Sequence, residues 1–495
     1  MTGVAAQPDR TEQSPADVQD VDRWRPAPVR HRLLPPSWPL TALFLGFPLW
    51  WALGLAEFIF PLMAIPMAAQ LLQRRRIRAP IGFGFWLVFC VWMLAGAAML
   101  WADAVGAAPG GGGPGRLMVF GYRAVMYLAA TVFLLYVVNL TERELPTRKV
   151  VRLLGFMFVA TTAGGVAGVV APGVEFTSLT EMLLPQALSS NEFVNGLIHP
   201  ATAYTTSFLG YEEARPIAPF QFANSWGANL SLYLPFFCLA WLGNTRLTGR
   251  AGWRRWLAPL VVVAAAVPIV YSLNRGVWLV LGIGAVYVTA RFAFLGRVWA
   301  VQLVGIGLLI GAVSLVATPL GDLVALRLET PHSNSRRIQL ATETTRSVVL
   351  GSPLLGYGST RDVQGSFASI AGGSTPECPA CGVPPLGTQG QFWMVLFSQG
   401  LIGLGLFLSF FTRQFFAHWR DPTPLAITGS CVLLFYGLQI VVYDTLGAPM
   451  VTVMITLGLM ARQSMRIDTQ PRPERERYQG VGEKRSEPPI EQERA

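Results

Sequence analysis

Apolar stretches of membrane-crossing length recur along this chain, separated by polar segments in which Arg, Pro and Gly concentrate. A helix needs about 20 mostly apolar residues to cross a bilayer. Such stretches lie at 81–101, 118–140, 150–172, 223–243, 256–272, 276–296, 298–318, 391–411, 424–442 and 446–462. An earlier apolar block, Trp38 to Gln73, is too long for one crossing of a core ~30 Å thick and divides near Gly54 to Glu57. The pattern predicts an all-α polytopic membrane protein of about twelve transmembrane helices.

The charges beside these stretches set their direction. Cationic clusters at Arg30 and Arg32, Arg74 to Arg78, Arg148 to Arg152, Arg246 to Arg255, Arg291 and Arg297, Arg413 and Arg420, and Arg462 and Arg466 all fall on one side of a twelve-span chain. Basic flanks face the cytoplasm, so both termini are expected there. The membrane domain covers 38–463. Residues 1–37 and 464–495 are polar, Pro-rich and mixed in charge, and read as disordered cytoplasmic tails; the first has no signal-peptide pattern.

Composition agrees with this reading. With 52% hydrophobic and 13% charged residues, the chain is neither a disordered nor an ordinary soluble protein. The net charge of +10 follows from the topology and from basic tails beside anionic membrane lipids, and no groove-reading motif points to nucleic acid. Only Lys149 and Lys484 are lysines, so Arg is the ordinary cation here and a lone Arg says little.

Two long segments, 173–222 and 318–390, fall on the outer face. Loops of more than ~15 residues are uncommon and tend to be functional. In the second, "HSNSRRIQLATETTRSVVLGSP" predicts an amphipathic helix capped by Asn334 or Ser335 and ended by Gly351 and Pro353, lying on the membrane surface as a lid. Glu343 and Arg346 are spaced to pair on it. Of the five cysteines, Cys90, Cys238 and Cys431 lie in spans as packing residues. Cys378 and Cys381 form "CPAC" in the oxidising outer loop; a disulfide staple fits best, with a redox pair or a zinc site as alternatives. No P-loop, HExxH or G-x-S-x-G motif occurs.

Three stretches carry a resemblance. "APFQFANSWGANLSLYLP" at 218–235 brings an aromatic, an Asn and small residues into a span. "SLNRGVW" at 272–278 is a Ser-x-x-Arg-Gly turn. "SRRIQLATETTRSVVLGSPLLGYGS" adds an Arg-bearing helix and a Pro-Leu-x-Gly-x-Gly turn, followed by "GQFWMVLFSQGLIGLG". In this order and spacing they resemble the O-antigen ligase and polymerase superfamily of envelope glycosyltransferases. The likeness covers about 218–411 at motif level.

The resemblance implies transfer of a glycan from an undecaprenyl-diphosphate donor to a glycan or lipid hydroxyl acceptor, at the outer face of a bacterial-type plasma membrane. Neither a nucleotide nor an obligatory metal cofactor is implied. It assigns catalytic cations to Arg275 and to Arg336 or Arg337, and substrate contacts to Arg215, Asn224, His332, Glu343 and Gln389. One departure matters: where the family commonly has a His-Asn pair, this chain has Gln389 and Gly390. Glutamine takes no proton at neutral pH, so the base is left to His332, Glu343 or Asp362.

Arg275 has two readings, an interfacial anchor that snorkels from a tight turn or a fork that grips a diphosphate bidentately. A secondary transporter is the rival of another class, since twelve spans permit it. Transporters place ionisable groups near the membrane midplane, and few lie within these spans. The topology predicts that reporter fusions after Gln73 and Arg250 read as cytoplasmic, and those after Gly112 and Ser369 as external. An internal signal after Ser369 would remove the outer-face site.

Overall fold

The computed structural model describes residues 34–107, 114–189, 192–206, 213–243, 252–296, 302, 305, 332–361 and 385–469. The span expected at 298–318, both tails, Asp362, Cys378 and Cys381 lie outside the described residues, wholly or for the most part, as do the side chains of His332 and Arg336. The described residues are mostly helical (71%). In order the helices are α1 (Trp38–Leu45), α2 (Phe47–Ala52), α3 (Ile59–Leu72), α4 (Phe83–Ala95), α5 (Pro114–Asn139), α6 (Thr147–Val170), α7 (Leu179–Leu183), α8 (Gln186–Ser189) and α9 (Glu192–Ile198). Then follow α10 (Ala223–Phe237), α11 (Arg254–Tyr271), α12 (Arg275–Phe294), α13 (His332–Gly351), α14 (Gln391–His418), α15 (Pro424–Gln439) and α16 (Ala448–Thr469).

Five of these helices, α5, α6, α11, α12 and α14, are long and apolar enough to cross a membrane, and α3, α4 and α15 are shorter apolar helices. An all-α membrane protein accounts for them, with one addition. The segment 173–222 forms α7, α8, α9 and a two-stranded antiparallel hairpin, β1 (Ala203–Thr206) with β2 (Glu213–Pro216), in which Tyr204 faces Arg215. Its alternating pattern is too short to stand out against the helical chain around it.

Packing is dense where aromatic residues from different helices meet. Trp86 of α4 is fully buried and touches Phe89, Tyr127 of α5 and Phe407, Phe410 and Phe411 of α14. A buried indole N–H needs an acceptor, and this one donates to Thr131 Oγ1 at 2.8 Å. By contrast, α11 turns Trp256, Leu260 and Val263 outward, each more than half exposed. Apolar side chains on an outer face are the surface a helix offers to lipid.

Helix α14 is broken. Gly400 has φ 65° and ψ −168°, a conformation open essentially only to Gly, and it interrupts the ladder of helical hydrogen bonds. The freed groups are repaired by the Pro-Leu-x-Gly-x-Gly turn that follows α13. Tyr357 N donates to Phe397 O at 2.9 Å and Gly358 N to Ser398 O at 2.8 Å, while Leu401 N donates to Pro353 O at 2.8 Å. Trp92 Nε1 donates to Gln399 O at 3.0 Å. Arg361, 2% exposed, then ties the turn to the end of α4 by donating to the carbonyls of Met99, Leu100 and Tyr357.

Helix α13 runs as expected to Gly351 but begins at His332, upstream of both proposed caps. Leu340, Thr344, Ser347 and Val348 are buried, against α14 and the segment before it; Gly387 N donates to Thr344 Oγ1 at 3.2 Å. The opposite face exposes Ile338, Val349 and Leu350. The expected Glu343–Arg346 pair is not among the ion pairs of the described residues. Arg346 is exposed, where water screening leaves such a pair little to gain, and Glu343 is half-buried beside Gly106.

The break at Gly400 generates a test. An added Cβ there would lie 2.3 Å from Leu354 O, whereas at Gly405, in the same helix, it would meet nothing within 4 Å. Gly400→Ala should cost at least ~2 kcal/mol in strain alone, seen as a lowered unfolding midpoint or lost yield. Gly405→Ala should be neutral or stabilising by up to ~1 kcal/mol. Equal midpoints for the two variants would mean that the break is not required.

Candidate functional site

The three-residue turn between α11 and α12, Ser272–Leu273–Asn274, is the local feature from which the site grows. Leu273 takes φ 51°, a left-handed conformation that costs a non-glycine residue roughly 1–2 kcal/mol, and its side chain is buried (1% exposed). That conformation ends α11, and Asn274 at once caps α12: its side-chain oxygen accepts from Val277 N at 3.4 Å. The same oxygen accepts from the Tyr443 hydroxyl, and Asn274 Nδ2 donates to Asn224 Oδ1 at 3.3 Å. Three segments far apart in the chain therefore meet on one amide. Arg275, the first residue of α12, directly follows that cap.

Glycine follows Arg275 because Tyr443 needs the room. A Cβ on Gly276 would lie 2.1 Å from the Tyr443 hydroxyl oxygen. Tyr443 belongs to the connection between α15 and α16, which is stitched to the start of α14. Gln391 N donates to Tyr443 O and Phe392 N to Ile440 O, both at 2.8 Å, so the connection supplies acceptors for helix-end donors that have none within the helix. A Cβ on Gly390 would come within 2.8 Å of Ile440 O and Val441 O. The close approach leaves room only for glycine at this position.

Arg215 and Arg337 reach the same place from other directions. Arg215 on β2 is 8% exposed, and its Nε donates to Ser272 O at 2.6 Å, in the turn itself. Arg337 on α13 donates to Val442 O at 2.7 Å. Burial lowers the Arg337 guanidinium below its ordinary value; Tyr443 acts against that shift and the like charge of Arg275 adds to it. An arginine nonetheless stays cationic in a protein. Burial raises the Tyr443 phenol, against the pull of Arg337 and Arg215, so it remains a proton donor.

Beside this cluster lies a second polar group that includes two carboxyls. Arg123 of α5 donates to Thr360 Oγ1 at 3.4 Å and lies within electrostatic reach of Asp444. Asp444 keeps access to solvent although protein surrounds it, and that enclosure raises its carboxyl above the ordinary value; a bond from Leu446 N and the nearby Arg123 act in the opposite direction. Glu57, in the connection between α2 and α3, has a buried Oε2 without a hydrogen-bond partner. Burial, with Asp444 adding, pushes its carboxyl up to about 8.

The chain has no match among protein-family models, and none among curated proteins.

Of the residues singled out from the sequence, Arg215, Asn224, Arg275 and Arg337 are brought together. Gln389 lies one residue before the Gly390 contact, and both polar atoms of its side chain are buried without partners. Glu343 is not in the cluster: its carboxyl lies near Gly106, where an added Cβ would be 3.9 Å from Oε2. Arg336 and His332 have side chains outside the described residues, as do Cys378 and Cys381. His199, on the same face, is held by Glu181 at 2.9 Å. Among the described residues no group of three or more His, Cys, Asp or Glu could hold a metal ion.

Asn274, Tyr443 and Arg123 were not singled out. An Asn just before a helix is a readable cap signal, but nothing in the order of residues links it to a tyrosine far along the chain.

The Glu57 carboxyl generates a pH test. It ionises at 4.5 when unfolded and near 8 when folded, so between these values unfolding releases a proton. Stability should therefore fall as pH rises from about 5 to 8 and level off above. Glu57→Gln should match wild type near pH 4.5 and exceed it at pH 8 in thermal unfolding midpoint. A difference that does not change with pH would mean that Glu57 is already ionised in the folded protein.

Proposed function

We propose that this chain is an integral-membrane glycosyltransferase that moves a glycan from an undecaprenyl-diphosphate carrier to a hydroxyl acceptor in cell-envelope polysaccharide assembly. One observation supports the reading above others: Arg215, Arg275 and Arg337, from three distant segments, gather around Tyr443 and Asn274. Like charges held together repel, and a polyanion bound among them offsets that cost. A diphosphate presents several anionic oxygens, and guanidinium forks match them with paired hydrogen bonds.

The chemistry follows from this placement. The acceptor oxygen bonds to the anomeric carbon as the bond from that carbon to the diphosphate oxygen breaks. The bonding pair leaves with the diphosphate, and the hydroxyl proton passes to a base. Negative charge grows on the leaving group, so cations beside it stabilise the transition state more than the ground state. With Gln389 in place of a histidine, Asp444 is the carboxylate suited to take the proton, because it is open to solvent and its raised pKa makes it a stronger base.

The topology that belongs with this reading has twelve spans, both termini cytoplasmic, and the site at the outer face of a bacterial-type plasma membrane. The donor is a lipid-linked glycan and the acceptor a glycan or lipid; a second lipid-linked repeat as acceptor would make the enzyme a polymerase. The break in α14 favours one reading of another class, a secondary transporter, since broken helices line substrate paths in such proteins. Glycan profiling of a deletion strain separates the three. A missing polymer points to a ligase, chains reduced to one repeat point to a polymerase, and unchanged glycans would overturn the transferase.

Arg275→Lys tests the site directly. Lysine keeps the charge and can snorkel, but it loses the fork. One charge-assisted bond of ~1.5–3 kcal/mol lost in the transition state slows transfer roughly 10- to 150-fold. The folded, inserted variant should therefore transfer glycan at least ~10-fold more slowly than wild type, and chelators should leave the wild-type rate unchanged. A near wild-type rate would return Arg275 to the role of interfacial anchor.

A further inference from the structure

The opposite end of the bundle holds a second arrangement of cations. Helix α6 ends against the hairpin, where a Cβ on Gly168 would meet Thr202 O and Pro216, so its first turns lie at the end away from the candidate site. There a cavity of about 500 Å³ opens between α1, α6, the turn after α10 and the start of α11. Arg148, Lys149 and Arg152 of α6 and Arg254 of α11 line it. Among the described residues no carboxylate does. Arg148 and Arg254 both lie within electrostatic reach of Arg152. Lys149 donates to the Ser37 hydroxyl at 2.9 Å, a neutral partner that leaves its charge unbalanced.

Elsewhere at this end Arg74 pairs with Glu144 at 2.7 Å and Arg462 with Glu142 at 3.4 Å. The cavity cations instead stand above an apolar wall that includes Leu45, Phe156 and Trp241. Trp241 meets Trp253 edge-on at 6.4 Å, and Trp253 is 66% exposed. Such half-exposed indoles favour the level of lipid headgroups. From Arg148 to Val159 the wall descends eleven residues along α6, roughly 16 Å at the helical rise, about one leaflet of a ~30 Å core. A cationic mouth over an apolar slot one leaflet deep matches a single amphiphile with an anionic head.

We propose that this groove binds one anionic phospholipid of the adjacent leaflet. Its phosphate is held by Arg148, Arg152 and Arg254, and one acyl chain lies along the wall formed by Leu45, Phe156 and Trp241. The proposal rests on embedding in a membrane but not on glycosyl transfer, so a failure of either leaves the other standing.

The test uses the purified full chain in uncharged detergent, titrated with phosphatidylglycerol, phosphatidylcholine or glycerol 3-phosphate. Thermal unfolding and native mass spectrometry are the readouts. Phosphatidylglycerol should raise the midpoint and give a one-lipid adduct, because a ligand that binds only the folded state stabilises it. The other two should not. Arg148→Gln/Arg254→Gln should bind phosphatidylglycerol roughly 10- to 30-fold more weakly. Arg255→Gln, next to the groove but outside its lining, should bind as wild type does. Val159→Trp keeps every charge and fills the deep end, so it should also weaken binding even if the double variant fails to fold. Equal stabilisation by phosphatidylcholine or by glycerol 3-phosphate overturns the proposal, as does undiminished phosphatidylglycerol binding by Val159→Trp or by a folded double variant.

Discussion

Every backbone N–H and C=O placed in an apolar surrounding must find a partner within the protein, because no water is at hand to supply one. This constraint governs the two places where the helical ladder stops inside the bundle. At Gly400 the carbonyls of Phe397, Ser398 and Gln399 lose their helical partners, and the Tyr357 and Gly358 amides and the Trp92 indole replace them. The Pro-Leu-x-Gly-x-Gly turn is thus a patch over a broken helix. Because α13 leads into that turn, the repair also ties down the helix that carries Arg337.

The same constraint shapes the turn before Arg275. A left-handed residue ends α11, an asparagine caps α12, and that asparagine's remaining hydrogen-bonding capacity goes to Tyr443 and Asn224. One amide therefore links α10, α12 and the connection between α15 and α16. The cations around it have separate supports: Ser272 O orients Arg215 and Val442 O orients Arg337. Side chains held in this way lose little further freedom on binding a ligand, which favours affinity and geometric control.

Charge is handled differently at the two ends of the bundle. Away from the site, Glu142 pairs with Arg462 and Glu144 with Arg74, and four further cations line one apolar groove. At the site end the cations converge on a phenol and an amide, next to two carboxyls with raised pKa values. Clustering of like charges opposes folding, so both clusters suit a bound anion more than they serve stability.

Local signals in the chain were sufficient for the helical class, the apolar stretches, the course of α13 up to Gly351 and the tight turn before Arg275. Each depends on residues within a few turns of one another, which is the range over which periodicity, caps and breakers act. Tertiary structure decided what those signals do not encode. The hairpin carrying Arg215 is too short to compete with its surroundings, and the break at Gly400 exists only because a turn tens of residues earlier repairs it. Glu343 and Arg346 have suitable spacing, but the fold seats Glu343 beside Gly106 and leaves Arg346 exposed. Tyr443 and Asn274 meet across 169 residues, and Glu57 acquires its raised pKa from burial, with a carboxylate near the other end of the chain adding to it. Sequence determines which groups are available at each position; their partners, and hence their charge and chemistry, are set by burial among segments that only the fold brings together.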